Sequence, residues 1–272
     1  MNNFNDRYYT RFNLEYNPFI KNNSTNFFYE SKDAKEIKYK LDYLIKTKGI
    51  GVITGNPGTG KTTNIRHYLS TLNGALYKIV YISMTTLTDL EFYRQVVSSF
   101  GYEPKFRKNE NYKLFQEIIK EYSNNKKITP IIVIDEANYL SRTLLNDLKM
   151  LFNFEMDSID NYVLILAGLP TLVSNLSSAS QEPLRQRIIT SFSFETLSGD
   201  EAKAYKFGKL EKASGATNIF DEGVMQSIIN CSNGVTWVID RIMDYALLIT
   251  DKMNSTIITK TIIQKAIEQA SL

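Results

Sequence analysis

Eight residues, Gly55-Asn56-Pro57-Gly58-Thr59-Gly60-Lys61-Thr62, restrict what this chain can become more than any other stretch. They satisfy the pattern G-x-x-x-x-G-K-[ST] at every fixed position. Its glycines allow turn conformations closed to other residues, so that successive N–H groups point into one concavity suited to phosphate oxygens. At this spacing Lys61 reaches the outer phosphates of a nucleotide, and the Thr62 hydroxyl can ligate Mg²⁺. The flanks agree with that reading. The apolar run 49–54 reads as a buried strand entering the loop. Residues 63–69 read as the helix leaving it, with its positive end toward the anion. The eight residues together with Thr63 form the expected nucleotide-binding set.

A second stretch completes the expectation. Residues 128–134 form an almost unbroken β-branched run that ends in Asp135 and Glu136. Such a run suits a strand buried on both faces of a parallel sheet. Its C-terminal end is where open α/β sheets bind ligands. Asp135 is placed to hold Mg²⁺, and Glu136 to polarise an attacking water.

The 272 residues can hold one large domain, or a core with a smaller second one. The longest apolar run, 162–173, is interrupted by Gly168 and Pro170 and is too short to span a bilayer. The first residues show no basic region followed by an apolar stretch, so no signal peptide is expected. Cys231 is the only cysteine, which excludes an internal disulfide, and it reads as a small core residue. With one histidine, His67, placed on a helix surface, a zinc site is excluded. These features point to the cytoplasm. A formal net charge of +3 permits an acidic polymer as partner without demanding one.

Strands are expected at 75–83, 161–169 and 191–197 beside the two already named, and helices at 31–48, 112–122 and 141–156. Thr88-Asp89-Leu90-Glu91 has the spacing of a capping box and opens another helix. This alternation describes an α/β fold with a five-stranded, parallel, doubly wound sheet. Residues 1–48, dense in aromatics, are expected to pack on that core. Ser198-Gly199-Asp200-Glu201 is a second capping box, from which four helices follow to the end. The expected domains are therefore 1–48, a nucleotide-binding core at 49–197, and a helical lid at 198–272.

With these residues in place, the sequence resembles the AAA+ ATPases. More narrowly it resembles the branch that contains general secretion pathway protein A and the ATP-binding partners of DDE transposases. Four stretches carry the narrower likeness: Phe12-x-Leu14-x-x-x-Pro18-Phe19 with Phe27-Phe28-Tyr29; the run from Lys48 into the loop; Ile134-Asp135-Glu136-Ala137-Asn138-x-Leu140; and Leu184-Arg185-Gln186-Arg187-Ile188. The resemblance implies a ring or helical filament of like subunits with ATP at each interface. It also implies an arginine that reaches a neighbour's phosphates, with Arg187 the first choice and Arg185 the second. A guanidinium suits that task because it presents several donors in a plane. The sequence departs from the family at two places. Where the family sets a polar residue after the fourth strand, Leu169 stands, with Thr171 as a possible substitute. The family's lid arginine is missing from Gly234-Val235-Thr236-Trp237, and Arg241 lies one helical turn further on. Both departures lead to the expectation of slow ATP hydrolysis.

For function, the resemblance implies a regulator of transposition that assembles with ATP on double-stranded DNA and recruits a transposase, with no membrane contact. A secretion-assembly ATPase and a nucleotide-switch scaffold are the other readings. Lys105, Arg107 and Lys108 are candidate DNA phosphate contacts, as are Lys203, Lys206, Lys209 and Lys212, which recur every three residues. With no base-reading motif in the sequence, contact with DNA would be largely sequence-independent and sensitive to salt.

Overall fold

A computed structural model describes residues 11–20, 27–83, 87–151, 161–215 and 217–270. The chain divides into two compact units, one of residues 35–194 and one of residues 1–34 with 195–272.

The first unit is built on five parallel strands in the order β2-β3-β4-β1-β5. They are β1 (Gly49–Gly55), β2 (Tyr77–Ser83), β3 (Thr129–Asp135), β4 (Val163–Gly168) and β5 (Ile188–Phe194). The period of two explains why β3 and β4 are apolar at nearly every position. Ile132, Ile134, Leu164 and Leu166 enter one core, while Ile131, Val133, Val163 and Ile165 enter the other. Helices α1 (Lys32–Thr47) and α2 (Lys61–Ser70) cover the second of these faces, through Leu41, Leu44, Ile65 and Leu69. The first face is covered by α3 (Asp89–Ser99), α4 (Lys108–Lys120) and α5 (Arg142–Leu151). Thr88 caps α3 as its sequence predicts, accepting from the Glu91 N–H while Glu91 returns the bond.

Several boundaries move. The fifth strand begins at Ile188 instead of 191, because its edge position alternates half-buried and exposed residues and so lacks a continuous apolar run. The helix expected at 112–122 starts earlier, at Lys108, and ends in a π-turn over Glu121–Asn125. The expected helix 141–156 is seen as far as Leu151, and residues 152–160 lie outside the described set.

The second unit is helical: α7 (Gly199–Lys212), α8 (Val224–Ser232), α9 (Thr236–Lys252) and α10 (Lys260–Ala270), with α6 reserved for the short helix Thr171–Leu176 of the first unit. Ser198 caps α7 through the second predicted box. Gly234 holds φ +74°, and a β-carbon there would meet the Leu197 carbonyl oxygen at 1.9 Å, so only glycine fits. The N-terminal aromatics differ from expectation. Phe12, Leu14 and Phe19 are buried among the helices of this unit, not in the sheet's cores. Tyr29 meets Tyr205 edge-on with ring centres 6.0 Å apart.

Two further readings are corrected. Cys231 is exposed, whereas Val224, Ile228 and Ser232 are the buried residues of α8. Lys206 and Lys209 are not surface residues: both are fully buried, at 0% and 1% exposure. Lys209 pairs with Asp240 at 2.6 Å. The Lys206 ammonium nitrogen lies 2.7 Å from Met225 Sδ and sits over the rings of Phe207 and Phe220.

Candidate nucleotide and cation site

The loop between β1 and α2 takes the shape its glycines permit. Gly58 and Gly60 hold φ of 79° and 89°, in the left-handed region that other residues avoid. Thr59 folds its hydroxyl back onto the Asn56 carbonyl at 2.9 Å and is nearly buried. Asn56 and Pro57 are exposed at the tip, and Thr63 is exposed on the first turn of α2. The Lys61 ammonium donates to the carbonyls of Gly55 and Asn56 at 2.7 and 2.9 Å. Burial lowers its pKa, and the negative charge of Asp135 works against that shift.

Asp135 ends β3 on the face covered by α2, since it continues the alternation of Ile131 and Val133. The Thr62 hydroxyl, on the first turn of α2, donates to Asp135 Oδ2 at 2.8 Å. This bond joins two residues 73 positions apart. The Glu136 N–H donates to Asp135 Oδ1 at 2.9 Å. Glu136 is itself exposed and holds φ +57°, a left-handed conformation that costs about 1–3 kcal/mol away from glycine. That conformation turns the chain out of β3 into a short 3₁₀ turn, Ala137–Tyr139.

Two residues to which the sequence reading gave no role complete the arrangement. Tyr81 on β2 donates its hydroxyl to Asp135 Oδ2 at 2.5 Å. Burial, then the bond to Asp135, raises its pKa, so the phenol stays a donor. Asn138 accepts from the Leu169 N–H at 2.9 Å through its side-chain oxygen. A β-carbon on Gly168 would lie 2.7 Å from that oxygen, so glycine lets the ends of β3 and β4 approach. The apolar Leu169 side chain cannot hydrogen-bond, but its backbone is fixed. Thr171 is exposed at the start of α6.

The arginines differ. Arg185 is spent within its own chain, donating to the carbonyls of Leu176 and Ser178 at 3.1 and 3.2 Å and pairing with Glu182. Arg187 is half-buried beside the start of β5, its N–H bonded to the Leu184 carbonyl. Arg241 is half-buried in the first half of α9, in the helical unit.

Of the basic loop, Lys105 and Arg107 are exposed, and Asn111 pins it through bonds of 2.8–2.9 Å to their backbone atoms. Phe106 between them is 83% exposed. Lys108 is already paired, with Asp147 at 2.6 Å and Asp89 at 3.5 Å, which neutralises it as a phosphate contact.

A Mg²⁺–nucleotide complex fits these residues. A hydroxyl and a carboxylate are hard oxygen donors, and Mg²⁺ on phosphates takes only one or two protein oxygens of this kind. Among the described residues no cluster of three His, Cys, Asp or Glu side chains offers a cation cage. No described helix is long and apolar enough to cross a membrane.

Residues 44–176 match the AAA domain family. General secretion pathway protein A of Aeromonas hydrophila is 28% identical over 247 residues, covering 88% of this chain and 44% of that protein. The ATP-dependent target DNA activator B of Escherichia phage Mu is 24% identical over 154 residues, covering 57% of this chain and 46% of the activator. The chain therefore spans less than half the length of either relative. Among solved structures, Cdc6p from Pyrobaculum aerophilum superposes with a TM-score of 0.69 at 14% identity, over 89% of this chain and 67% of that one.

Proposed function

Starting from an ATPase of the AAA+ type, with its AAA domain at residues 44–176, we propose that this protein assembles on double-stranded DNA in its ATP-bound state and there recruits or activates a transposase. The observation that carries the ATP half of this reading is the meeting of Lys61, Thr62 and Asp135 at the end of β3. The loop N–H groups and Lys61 would bind the phosphates of ATP, Thr62 and Asp135 would hold Mg²⁺, and Glu136 would orient the attacking water. Mg²⁺ bound there supplies charge neutralisation on the phosphates. Lys61 gives up two carbonyl acceptors when it turns to a phosphate, an exchange of neutral for charge-assisted bonds.

We assign Arg187, in the Gln186-Arg187-Ile188 step, to a neighbouring subunit's phosphates. Leu169 leaves the end of β4 without a side-chain donor toward water, which favours slow turnover and a long-lived ATP state. The DNA half rests on Lys105 and Arg107, exposed on a loop that Asn111 holds rigid, and on the relative whose name describes a target DNA activator. A second reading, a secretion-assembly ATPase, is favoured by the higher identity and wider coverage of general secretion pathway protein A.

Sedimentation of the purified protein with ATP and Mg²⁺, with and without duplex DNA at two salt concentrations, separates the two. Large assemblies that require both ATP and DNA and weaken at higher salt are the expected result. A particle indifferent to DNA would move the assignment to the secretion reading.

A further inference from the structure

We propose that Tyr81 is a positioning residue that holds the Asp135 carboxylate in place and thereby sets the affinity of the site for its divalent cation; this rests on the reading of the site as one for Mg²⁺ and ATP. The argument begins with strand parity. Tyr77 and Ile79 of β2 pack on the face covered by α2, so Tyr81, two residues on, projects to that same face. In the parallel register of β2 and β3, Tyr81 lies opposite Val133 and Ser83 lies opposite Asp135. Tyr81 is therefore one full strand repeat short of the carboxylate. A serine or threonine at 81 could not bridge that offset, whereas a phenol can. The side chain bridges it, with its hydroxyl 2.5 Å from Asp135 Oδ2.

The residue is not placed there for burial. It remains 47% exposed, in an edge strand whose neighbours Val80 and Ile82 are almost fully buried on the opposite face. Its hydroxyl is the fixed point. Among the described residues Asp135 takes three donors: Tyr81 and Thr62 on Oδ2, and the Glu136 N–H on Oδ1. Thr62 is the other oxygen that would serve the cation. Tyr81 and the Glu136 N–H hold both ends of the carboxylate without calling on Thr62, so its plane is set by groups that need not move. Partners of this kind, one bond behind a metal ligand, typically govern metal affinity by about 10–100-fold.

The test titrates Mg²⁺ into the protein with N-methylanthraniloyl ATP, whose fluorescence reports binding and not turnover. For Tyr81→Phe, which keeps the ring and loses one oxygen, the Mg²⁺ midpoint should rise about tenfold. Binding in EDTA and the thermal midpoint should stay at their wild-type values. In an Asp135→Asn background, adding Tyr81→Phe should give no further shift. An unchanged Mg²⁺ midpoint in the single variant overturns the proposal, and so does an equal shift in the Asp135→Asn background. If the wild-type protein and Lys61→Ala bind the probe equally poorly at every Mg²⁺ concentration, the nucleotide site itself is refuted and the proposal goes with it.

Discussion

The molecule uses lysine next to carboxylate in two ways. At the phosphate loop, Lys61 lies half-exposed on backbone carbonyls, close enough to Asp135 to feel its charge without bonding to it. In the helical unit, Lys209 is shut away and bonded to Asp240 at 2.6 Å, while Tyr205 gives the same carboxylate its hydroxyl at 3.0 Å. The first lysine is held by weak acceptors and can exchange them for a ligand. The second has already met its counter-charge, and the fold depends on the meeting. Lys206, a turn away, goes further and is buried with no carboxylate bonded to it among the described residues. A lysine can therefore mark a binding site or a structural joint, and burial separates the two.

The sharpest way to break this contrast is Asp240→Ala. It leaves the Lys209 ammonium buried and unpaired, and urea denaturation should show a loss of about 3–5 kcal/mol. A loss below 1 kcal/mol would mean that the buried pair is not structural. Lys61→Ala should act in the opposite sense, lowering ATP affinity about 100-fold, or ~2.7 kcal/mol, with little change in stability. Equilibrium binding beside a thermal melt decides between the two behaviours.

A third effect, spread over pH, concerns Lys206, and its direction follows from linkage. Burial, aided by the nearby Lys203, pushes its pKa down from 10.5 to about 6. Between those values the unfolded chain binds a proton that the folded one lacks, so stability rises with pH through that window, by at most about 1.4 kcal/mol per pH unit. Below about pH 6 both states carry the proton and this dependence vanishes. Lys206→Met should flatten the slope between pH 7 and 9 and raise stability at neutral pH. An unchanged slope in the variant would show that another group titrates there.

The two sites also differ in how far the sequence reveals them. The phosphate loop is local: eight consecutive residues fix it, and Asp135 announces itself by ending an apolar run. Tyr81 and Asn138 are not local. Tyr81 matters because β2 lies beside β3 in one register, and Asn138 because β4 ends beside the turn after β3. Neither adjacency is written in a stretch of residues. The buried lysines were half legible. At about 100° per residue, positions three apart drift by roughly 60°, so four lysines spaced this way sweep about half of a helix circumference. They cannot all share one solvated face, and Lys206 and Lys209 join Ala202 and Leu210 on the buried stripe of α7 while Lys203 and Lys212 stay outside. The N-terminal aromatics were legible as buried but not as to where, since apolar density does not name its partner.

That last residue set has a consequence for the order in which the protein is made. The helical unit draws on both residues 11–34 and the segment from 195 onward, with the whole sheet unit between them in the chain. At a synthesis rate of about 5–20 residues per second, Phe12, Leu14 and Phe19 leave the ribosome roughly ten seconds or more before the helices that bury them. The nucleotide-binding unit can meanwhile complete its fold without them.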